Sequence, residues 1–292
     1  MIKNKDTKQI LSKIRRLEIK TSKIVNDIFA GQYSSVFKGR GMEFAEVREY
    51  EVGDDIRSID WNVSARTGKT YIKKYIEERE LTVMIMVDMS KSLAFGSIEK
   101  FKVEIAAEVA AILAFSAIKN NDKVGLLIFT DEIEKFIPPT KGRQHILRMI
   151  REILYFEPKN EMTNIRLGLE YLNDVIKRKS VIFLLSDFGI GGYEKAIKIV
   201  NKKHDLINIR ISDKREIEIP KAGYISFRDN ETGEIIEFDS SNKKFREKLE
   251  QNLKEKEEYF DDFCKKNGLQ FIAINTDESY IEPLIKFFKT RH

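Results

Sequence analysis

The stretch LTVMIMVDMSKS, residues 81–92, decides the fold of this chain. Leu81–Val87 is almost entirely apolar, which is typical of a strand buried on both faces of a parallel sheet. Asp88, Ser90 and Ser92 follow on the loop at the carboxyl end of that strand. Open α/β sheets bind ligands at this end, because strand ends and helix N-termini converge there. Three oxygen side chains on one loop suit a hard divalent cation, although Ser and Asp also cap helices.

Two further segments carry matching features. The run SVIFLLSDFG (180–189) predicts a second buried strand, which ends at Asp187. Between the two strands, KNEMTNIRLGLEYL (159–172) predicts an amphipathic helix that Thr163 opens. Because the carboxyl ends of parallel strands meet at one edge of a sheet, we expect these side chains to converge on a single crevice.

These oxygen side chains match, in chain order, the metal-ion-dependent adhesion site of von Willebrand factor A domains. They are Asp88, Ser90, Ser92, Thr163 and Asp187. Residues from about 80 to the C-terminus therefore resemble that fold. The resemblance implies that the three hydroxyls contact a metal ion directly and that the two aspartates reach it through water. All these ligands are hard oxygens, which favours Mg²⁺, with Mn²⁺ or Ca²⁺ as alternatives.

The segment before this domain, residues 37–80, is dense in Gly, Arg, Asp and Glu around the chain's single Trp61. It resembles the signature of the bacterial domain-of-unknown-function 58 family, through the run GRG-x-EF-x-EVREY-x-x-GDD-x-R-x-IDW-x-x-x-AR-x-G and the closing YIEERE. Members of that family are often encoded beside a MoxR-type AAA+ ATPase and are thought to assist it. The resemblance implies a fold and a class of partner, and it assigns no reaction.

The predicted architecture is a doubly wound, mostly parallel α/β sheet of the von Willebrand factor A-like, Rossmann type. Residues 1–80 are assigned to an N-terminal extension and residues 81–292 to the main domain. GYISFRDNETGEIIEFD (223–239) breaks the alternation of strands and helices, because it contains two short strands around a Gly-containing turn. We therefore expect a β-hairpin insertion at about 223–239.

Three local features lead to specific expectations. Residues 7–30 have apolar side chains at helical spacing with many Lys and Arg between them, which predicts a basic amphipathic helix. A short strand at 135–137 is expected to end at Pro138 and Pro139. Trp61 is expected to be largely buried, so that it anchors the extension to the main domain.

Composition and charge indicate a folded cytoplasmic protein. Of the 292 residues, 42% are hydrophobic and 34% are charged, which suffices for a core beneath a heavily solvated surface. The net charge is only +5 and opposite charges are interspersed, so no strong global field points to nucleic acid. The single Cys264 suits a reducing compartment. The sequence shows neither the apolar region of a signal peptide nor an apolar run of membrane-spanning length.

Enzyme mechanisms fit the sequence poorly, and no catalytic residue is assigned. A phosphotransferase that used Asp88 as nucleophile would need a carboxylate two residues later, where Ser90 stands. GKT at residues 68–70 lacks the upstream glycine and the preceding buried strand of a phosphate-binding loop. The histidines, His145, His204 and His292, are scattered; we expect the first two to serve at helix ends.

Two function classes remain. The first is a metal-dependent protein-interaction module, an adaptor or co-chaperone for a MoxR-type AAA+ ATPase. In this class Lys91, Lys159 and Arg166 would add positive charge that attracts an acidic residue of the partner. The second is a binder of nucleic acid or an anionic surface, working through the basic N-terminal helix and the 37–66 segment. The arginines of that segment are interleaved with acidic residues, which more often indicates internal ion pairs.

Overall fold

The computed structural model describes residues 4–26, 33, 43–76, 80–93, 102–160, 162–213, 223–228, 235–239 and 241–291. The chain divides into two compact units: Met1–Val36 with Thr82–His292, and Phe37–Leu81. This division differs from the predicted one, a single extension of residues 1–80, because the N-terminal helix packs on helices of the larger unit.

Strands and helices alternate through most of the larger unit, as the apolar patterning predicts. In chain order, the elements of the described residues are α1 (Asn4–Ile24), β1 (Glu43–Glu49), a 3₁₀ turn (Ile56–Ser58), α2 (Trp61–Thr67), β2 (Tyr71–Ile76), β3 (Thr82–Asp88), α3 (Lys102–Lys119), β4 (Lys123–Phe129), β5 (Ile133–Thr140), α4 (Arg143–Leu154), α5 (Ile165–Val175), β6 (Val181–Ser186), α6 (Glu194–Lys203), β7 (Asp205–Ser212), β8 (Tyr224–Arg228), β9 (Ile235–Asp239), α7 (Lys243–Lys266), β10 (Gln270–Asn275) and α8 (Ile281–Thr290). Among these helices, none combines the length and the apolar character that crossing a membrane would require.

The larger unit is built on a six-stranded sheet in the order β10-β7-β6-β3-β4-β5. Every neighbouring pair is parallel except β4 and β5. The chain adds β4 and β5 on one side of β3, and then adds β6, β7 and β10 on the other side. The order therefore changes direction between β3 and β6, which makes their carboxyl ends the ligand-binding position of a doubly wound fold. The predicted fold class is confirmed.

The central strands are buried on both faces. In β3, Val83–Val87 has no exposed surface. Met84 and Met86 belong to a core cluster that includes apolar residues of α5, α6 and α7. The alternate residues point to the opposite face, where α3 packs on the sheet and α1 packs on α3 and α4. This two-sided burial explains the near-continuous apolar sequence of the strand.

Strand β5 is longer than predicted. It continues through Pro138 and Pro139 to Thr140, so the expectation that the prolines end it is wrong. β5 lies at the edge of the sheet, and its pairing with β4 is irregular between Leu126 and Val124. Proline lacks a backbone donor, and an edge strand with a local irregularity tolerates this loss.

The smaller unit contains an antiparallel pair, β1 and β2, and the short helix α2. The Asp60 carboxylate caps this helix by accepting hydrogen bonds from the backbone of Asn62 and Val63. Trp61 occupies the first turn with 68% of its surface exposed, so the prediction of a buried anchor is wrong. Ile59 and Ile72, joined by an isolated β-bridge, are the buried apolar residues described in this unit.

The predicted hairpin forms a separate two-stranded antiparallel sheet of β8 and β9. Tyr224 pairs with Asp239 at one end and Arg228 with Ile235 at the other. The turn expected at 229–233 lies outside the described residues.

Candidate metal site at the sheet edge

The site is centred on Asp88, the last residue of β3, which is 1% exposed. Asp88 Oδ1 accepts hydrogen bonds from the Ser90 backbone N–H at 3.0 Å and from Thr163 Oγ1 at 3.1 Å. Asp88 Oδ2 accepts a hydrogen bond from Ser186 Oγ at 2.7 Å. The carboxylate therefore ties together the β3 loop, the segment before α5 and the end of β6.

The two serines of the β3 loop lie side by side. Ser90 Oγ and Ser92 Oγ are 2.9 Å apart, so one hydroxyl donates a hydrogen bond to the other. Ser90 is buried and Ser92 is partly exposed. Because the hydroxyls form this pair beside the Asp88 carboxylate, their oxygens are close enough to serve a common ligand.

Thr163 is brought to the site by the start of α5. Asn164 caps that helix by accepting a hydrogen bond from the Leu167 backbone, so the cap lies one residue later than predicted. The Asn164 backbone also donates to the carbonyl of Thr130, which follows β4. In the first helical turn, a Cβ atom on Gly168 would lie 3.1 Å from the Phe129 ring. Glycine therefore permits the close approach of α5 to the sheet.

Asp187 follows β6 and lies beside a buried cation. Its Oδ1 atom accepts a hydrogen bond from the Gly189 backbone at 3.2 Å. Its Oδ2 atom is 3.4 Å from Nζ of Lys102, a residue with no exposed surface. Phe188 then turns the chain with φ of 55°, an uncommon conformation for a residue other than glycine. The Phe188 N–H donates to Ser186 Oγ, and the Phe188 ring stacks on Phe260 at 4.0 Å.

The two carboxylates have different environments. Burial raises the pKa of Asp88 to about 6, and the negative charge of Asp187 adds to this increase. Hydrogen bonds from Ser186 and Ser90 oppose the increase. Burial also pushes the pKa of Asp187 upward, but the Lys102 ammonium and the hydrogen bonds from Ser92 and Gly189 outweigh it. The pKa of Asp187 therefore lies below its usual value, and its negative charge is stabilised.

All the sequence-predicted oxygen side chains thus lie in one hydrogen-bonded cluster, and metal binding by them stays a prediction. The donor set suits a hard cation, because it consists of hydroxyl and carboxylate oxygens. Among the described residues, no group of three or more His, Cys, Asp or Glu side chains is arranged to hold a metal ion. Hydroxyls would therefore have to supply much of the coordination in this cluster.

Sequence reasoning missed two members of the cluster, Ser186 and Lys102. Ser186 is adjacent to Asp187 and lies within the predicted strand, but its hydroxyl donates a hydrogen bond to Asp88 Oδ2. Lys102 lies one helical turn before Ile105 and Ala106, which are both buried. Helical periodicity could therefore have placed Lys102 on the sheet-facing side of α3.

The cations predicted to bind a partner are all exposed. Lys91 lies between the two serines, and Lys159 precedes Thr163 by four residues. Arg166 Nε donates to Glu170 Oε1 at 3.0 Å, one helical turn away. A cavity of about 430 Å³ opens beside this turn and is lined by Thr163, Asn164, Ile165, Arg166, Leu167, Glu170, Ile190, Gly191 and Gly192. Thr163 thus belongs both to the oxygen cluster and to this cavity.

Solved structures are similar to part of this chain, at low sequence identity. An aerotolerance-related membrane protein from Bacteroides fragilis has 16% identity, covers 72% of this chain and 98% of its own, and has a TM-score of 0.45. BatB from Bacteroides thetaiotaomicron has 14% identity, the same coverages and a TM-score of 0.44. The SpRpn10 VWA domain has 16% identity, covers 46% and 76%, and has a TM-score of 0.37.

Sequence relatives match this chain over different lengths. The uncharacterized protein Rv1480 of Mycobacterium tuberculosis is 26% identical over 289 residues, or 98% of this chain and 91% of that protein. The uncharacterized protein YeaD of Bacillus subtilis is 29% identical over 109 residues, which cover 37% of this chain and 25% of that protein. The family model described as "Protein of unknown function DUF58" matches residues 46–259, more than half of the chain. The chain therefore belongs to the DUF58 family.

Proposed function

We propose that this protein is a metal-dependent protein-interaction module that captures an acidic residue of its partner. The observation that carries the proposal is the convergence on Asp88 of three separate segments, through the Ser90 backbone N–H and the hydroxyls of Thr163 and Ser186. In the proposed site the hydroxyls of Ser90, Ser92 and Thr163 hold Mg²⁺ directly. Asp88 and Asp187 hold it through water, with Mn²⁺ or Ca²⁺ as alternative ions.

The protein's own residues position these ligands. The Asp88 carboxylate orients Thr163 and the Ser90 backbone, while Ser186 fixes Asp88 itself. A bound divalent cation would supply a concentrated positive charge that attracts a carboxylate. Thr163 and Arg166 line the adjoining cavity, so a partner side chain there would be near both the ion and a guanidinium.

We further propose that the partner is a MoxR-type AAA+ ATPase, for which the protein acts as adaptor or co-chaperone. Membership of the DUF58 family supports this choice. Three cations of α1 and of the smaller unit weigh against binding to nucleic acid, because each forms an ion pair within its own unit. Lys20 pairs with Glu108 at 2.9 Å, Arg48 pairs with Asp54 at 2.6 Å, and Lys13 pairs with Glu104. These positive charges are engaged within the protein.

The test is capture of the purified ATPase by the immobilised protein, in Mg²⁺ and in EDTA. Capture should require Mg²⁺ and should fall with Thr163→Ala. Thr290→Ala is the matched control, because Thr290 Oγ1 bonds only the α8 backbone among the hydrogen bonds described for it. Capture that is indifferent to EDTA and to Thr163→Ala would refute the metal-dependent mechanism.

A further inference from the structure

Lys102 is a fully buried lysine at the edge of the proposed metal site. Its side chain has no exposed surface, and its Nζ atom lies 3.4 Å from Asp187 Oδ2. Removing an ammonium from water is costly, and lysine is almost never fully buried without a partner for its charge. The buried Lys102 ammonium therefore needs negative charge close to it, and the Asp187 carboxylate supplies such a charge.

The helix does not explain the choice of lysine. Lys102 is the first residue of α3, where the helix dipole favours acidic side chains and disfavours cations. Ile105, Ala106 and Val109 continue the same buried side of the helix. An apolar residue at position 102 would match this side, and lysine adds the contact with Asp187.

The charges of the site can be counted from its ionised side chains. Among the described residues of the hydrogen-bonded cluster, Asp88 and Asp187 carry two negative charges and Lys102 carries one positive charge, so the net charge of these three side chains is −1. A divalent cation changes the net charge of the cluster to +1. One carboxylate from a partner then brings it to zero. Without the Lys102 charge, a divalent cation would already balance the two aspartates before any partner arrived.

We propose that Lys102 is the resident cation of this site, and that it sets the balance between metal affinity and capture of a carboxylate. It neutralises Asp187 when no metal is bound, and it weakens divalent binding by repulsion at short range. It also leaves the loaded site positively charged, so an acidic ligand is needed to complete it. This inference rests on the proposed function and extends it to the residue that makes metal and partner binding interdependent.

Lys102→Met should raise the affinity for Mn²⁺ and should reduce the factor by which acetate strengthens Mn²⁺ binding. Lys102→Met should bind Mn²⁺, used as a paramagnetic probe for Mg²⁺, about tenfold or more tightly, because one close positive charge is removed. Acetate, used as a probe for the partner carboxylate, should strengthen Mn²⁺ binding by the wild type. By thermodynamic linkage, acetate raises the affinity for Mn²⁺ by the same factor as Mn²⁺ raises the affinity for acetate. This factor should be smaller in Lys102→Met than in the wild type.

The experiment is a Mn²⁺ titration followed by electron paramagnetic resonance, in sodium acetate and in sodium chloride of equal ionic strength. Lys102→Arg retains the charge and should remain closer to the wild type than Lys102→Met. Lys119→Met is the matched control, because Lys119 lies at the opposite, exposed end of the same helix, about 25 Å away. Its Mn²⁺ affinity should equal that of the wild type.

Folding is checked by thermal melting in EDTA and in Mn²⁺. Lys102→Met should melt at a lower temperature in EDTA, since Asp187 loses its neighbouring ammonium, and Mn²⁺ should restore more stability to it than to the wild type. Lys102→Gln removes the charge while keeping a hydrogen-bond donor. It provides the same test if the Met variant does not fold.

The outcomes separate this inference from the proposed function. Equal Mn²⁺ affinities for wild type, Lys102→Met and Lys102→Gln would overturn the inference while leaving a metal-binding protein. Binding by the Lys102 variants alone would support the inference and overturn metal-dependent function in the natural chain. Absence of binding in every variant would overturn both.

Discussion

Ser186 Oγ donates a 2.7 Å hydrogen bond to Asp88 Oδ2, although the two residues are 98 positions apart. The contact exists because β3 and β6 are neighbouring parallel strands that end together at the point where the strand order reverses. It joins the two loops that carry the acidic residues of the site. Ser186 therefore positions Asp88, and Ser186 itself is fully buried.

Replacing the central carboxylate should weaken metal binding. Asp88→Asn retains the shape of the side chain but removes one of the two negative charges of the site. Isothermal titration should show Mg²⁺ affinity lower by about 10–100-fold, the range seen when groups that support metal ligands are replaced. Asp174→Asn, an exposed position near the end of α5, is the control. Equal Mg²⁺ affinities for Asp88→Asn and wild type would contradict the site assignment.

Removing the Ser186 hydroxyl should affect both stability and metal binding. Ser186→Ala leaves a buried Asp88 oxygen and the Phe188 N–H each without one hydrogen bond, at a cost of about 1–3 kcal/mol in unfolding free energy. Mg²⁺ affinity should fall with it, because Asp88 loses one of the hydrogen bonds that fix its orientation. Ser180→Ala is the control at the other end of β6, where Ser180 Oγ bonds the Arg178 carbonyl. Urea unfolding and Mg²⁺ titration should show that the control loses stability without losing affinity.

His204 should make the protein sensitive to mild acid. It is 2% exposed at the C-terminal end of α6, and neither ring nitrogen has a hydrogen-bond partner among the described residues. Burial, aided by the charge of Lys203, lowers its pKa to about 4 from an ordinary value near 6.5. Below pH 6.5 the unfolded chain takes up a proton that the folded protein resists, so stability falls as pH drops toward 4.

The measurement is urea unfolding at pH 7 and pH 4.5, where His204 should account for a loss of about 1–3 kcal/mol. His204→Leu should lose less stability over this interval than the wild type. Identical pH dependence in His204→Leu and wild type would count against a buried neutral imidazole.

Trp61 should report an exposed position in fluorescence. It is the single tryptophan of the chain and is 68% exposed, so acrylamide should quench it nearly as well as in the unfolded protein. Trp61→Ala should change the unfolding free energy by no more than about 0.5 kcal/mol, as at other surface positions. Ile72→Ala, in the same unit but 6% exposed, should cost about 2–5 kcal/mol. Strong protection of Trp61 from acrylamide would contradict an exposed side chain.

Local sequence patterns anticipated most of the elements. The apolar run before Asp88 and the one before Asp187 became adjacent central strands, since only burial on both faces tolerates such runs. The paired strands of the 223–239 segment also formed as predicted. The prediction that Pro138 and Pro139 end their strand was wrong. The loss of a backbone donor ends a central strand, but an edge strand such as β5 tolerates it.

The sequence by itself determined the alternation of strands and helices and the oxygen side chains that follow two strands, because periodicity and composition act over a few residues. Only the tertiary structure decided that Ser186 would support Asp88, that Lys102 would face Asp187, and that Trp61 would point outward. These outcomes depend on which strands become neighbours and how each helix rotates against the sheet. Such choices arise from packing between distant segments: helical periodicity can place Lys102 on the sheet-facing side of α3, but only packing brings it to Asp187.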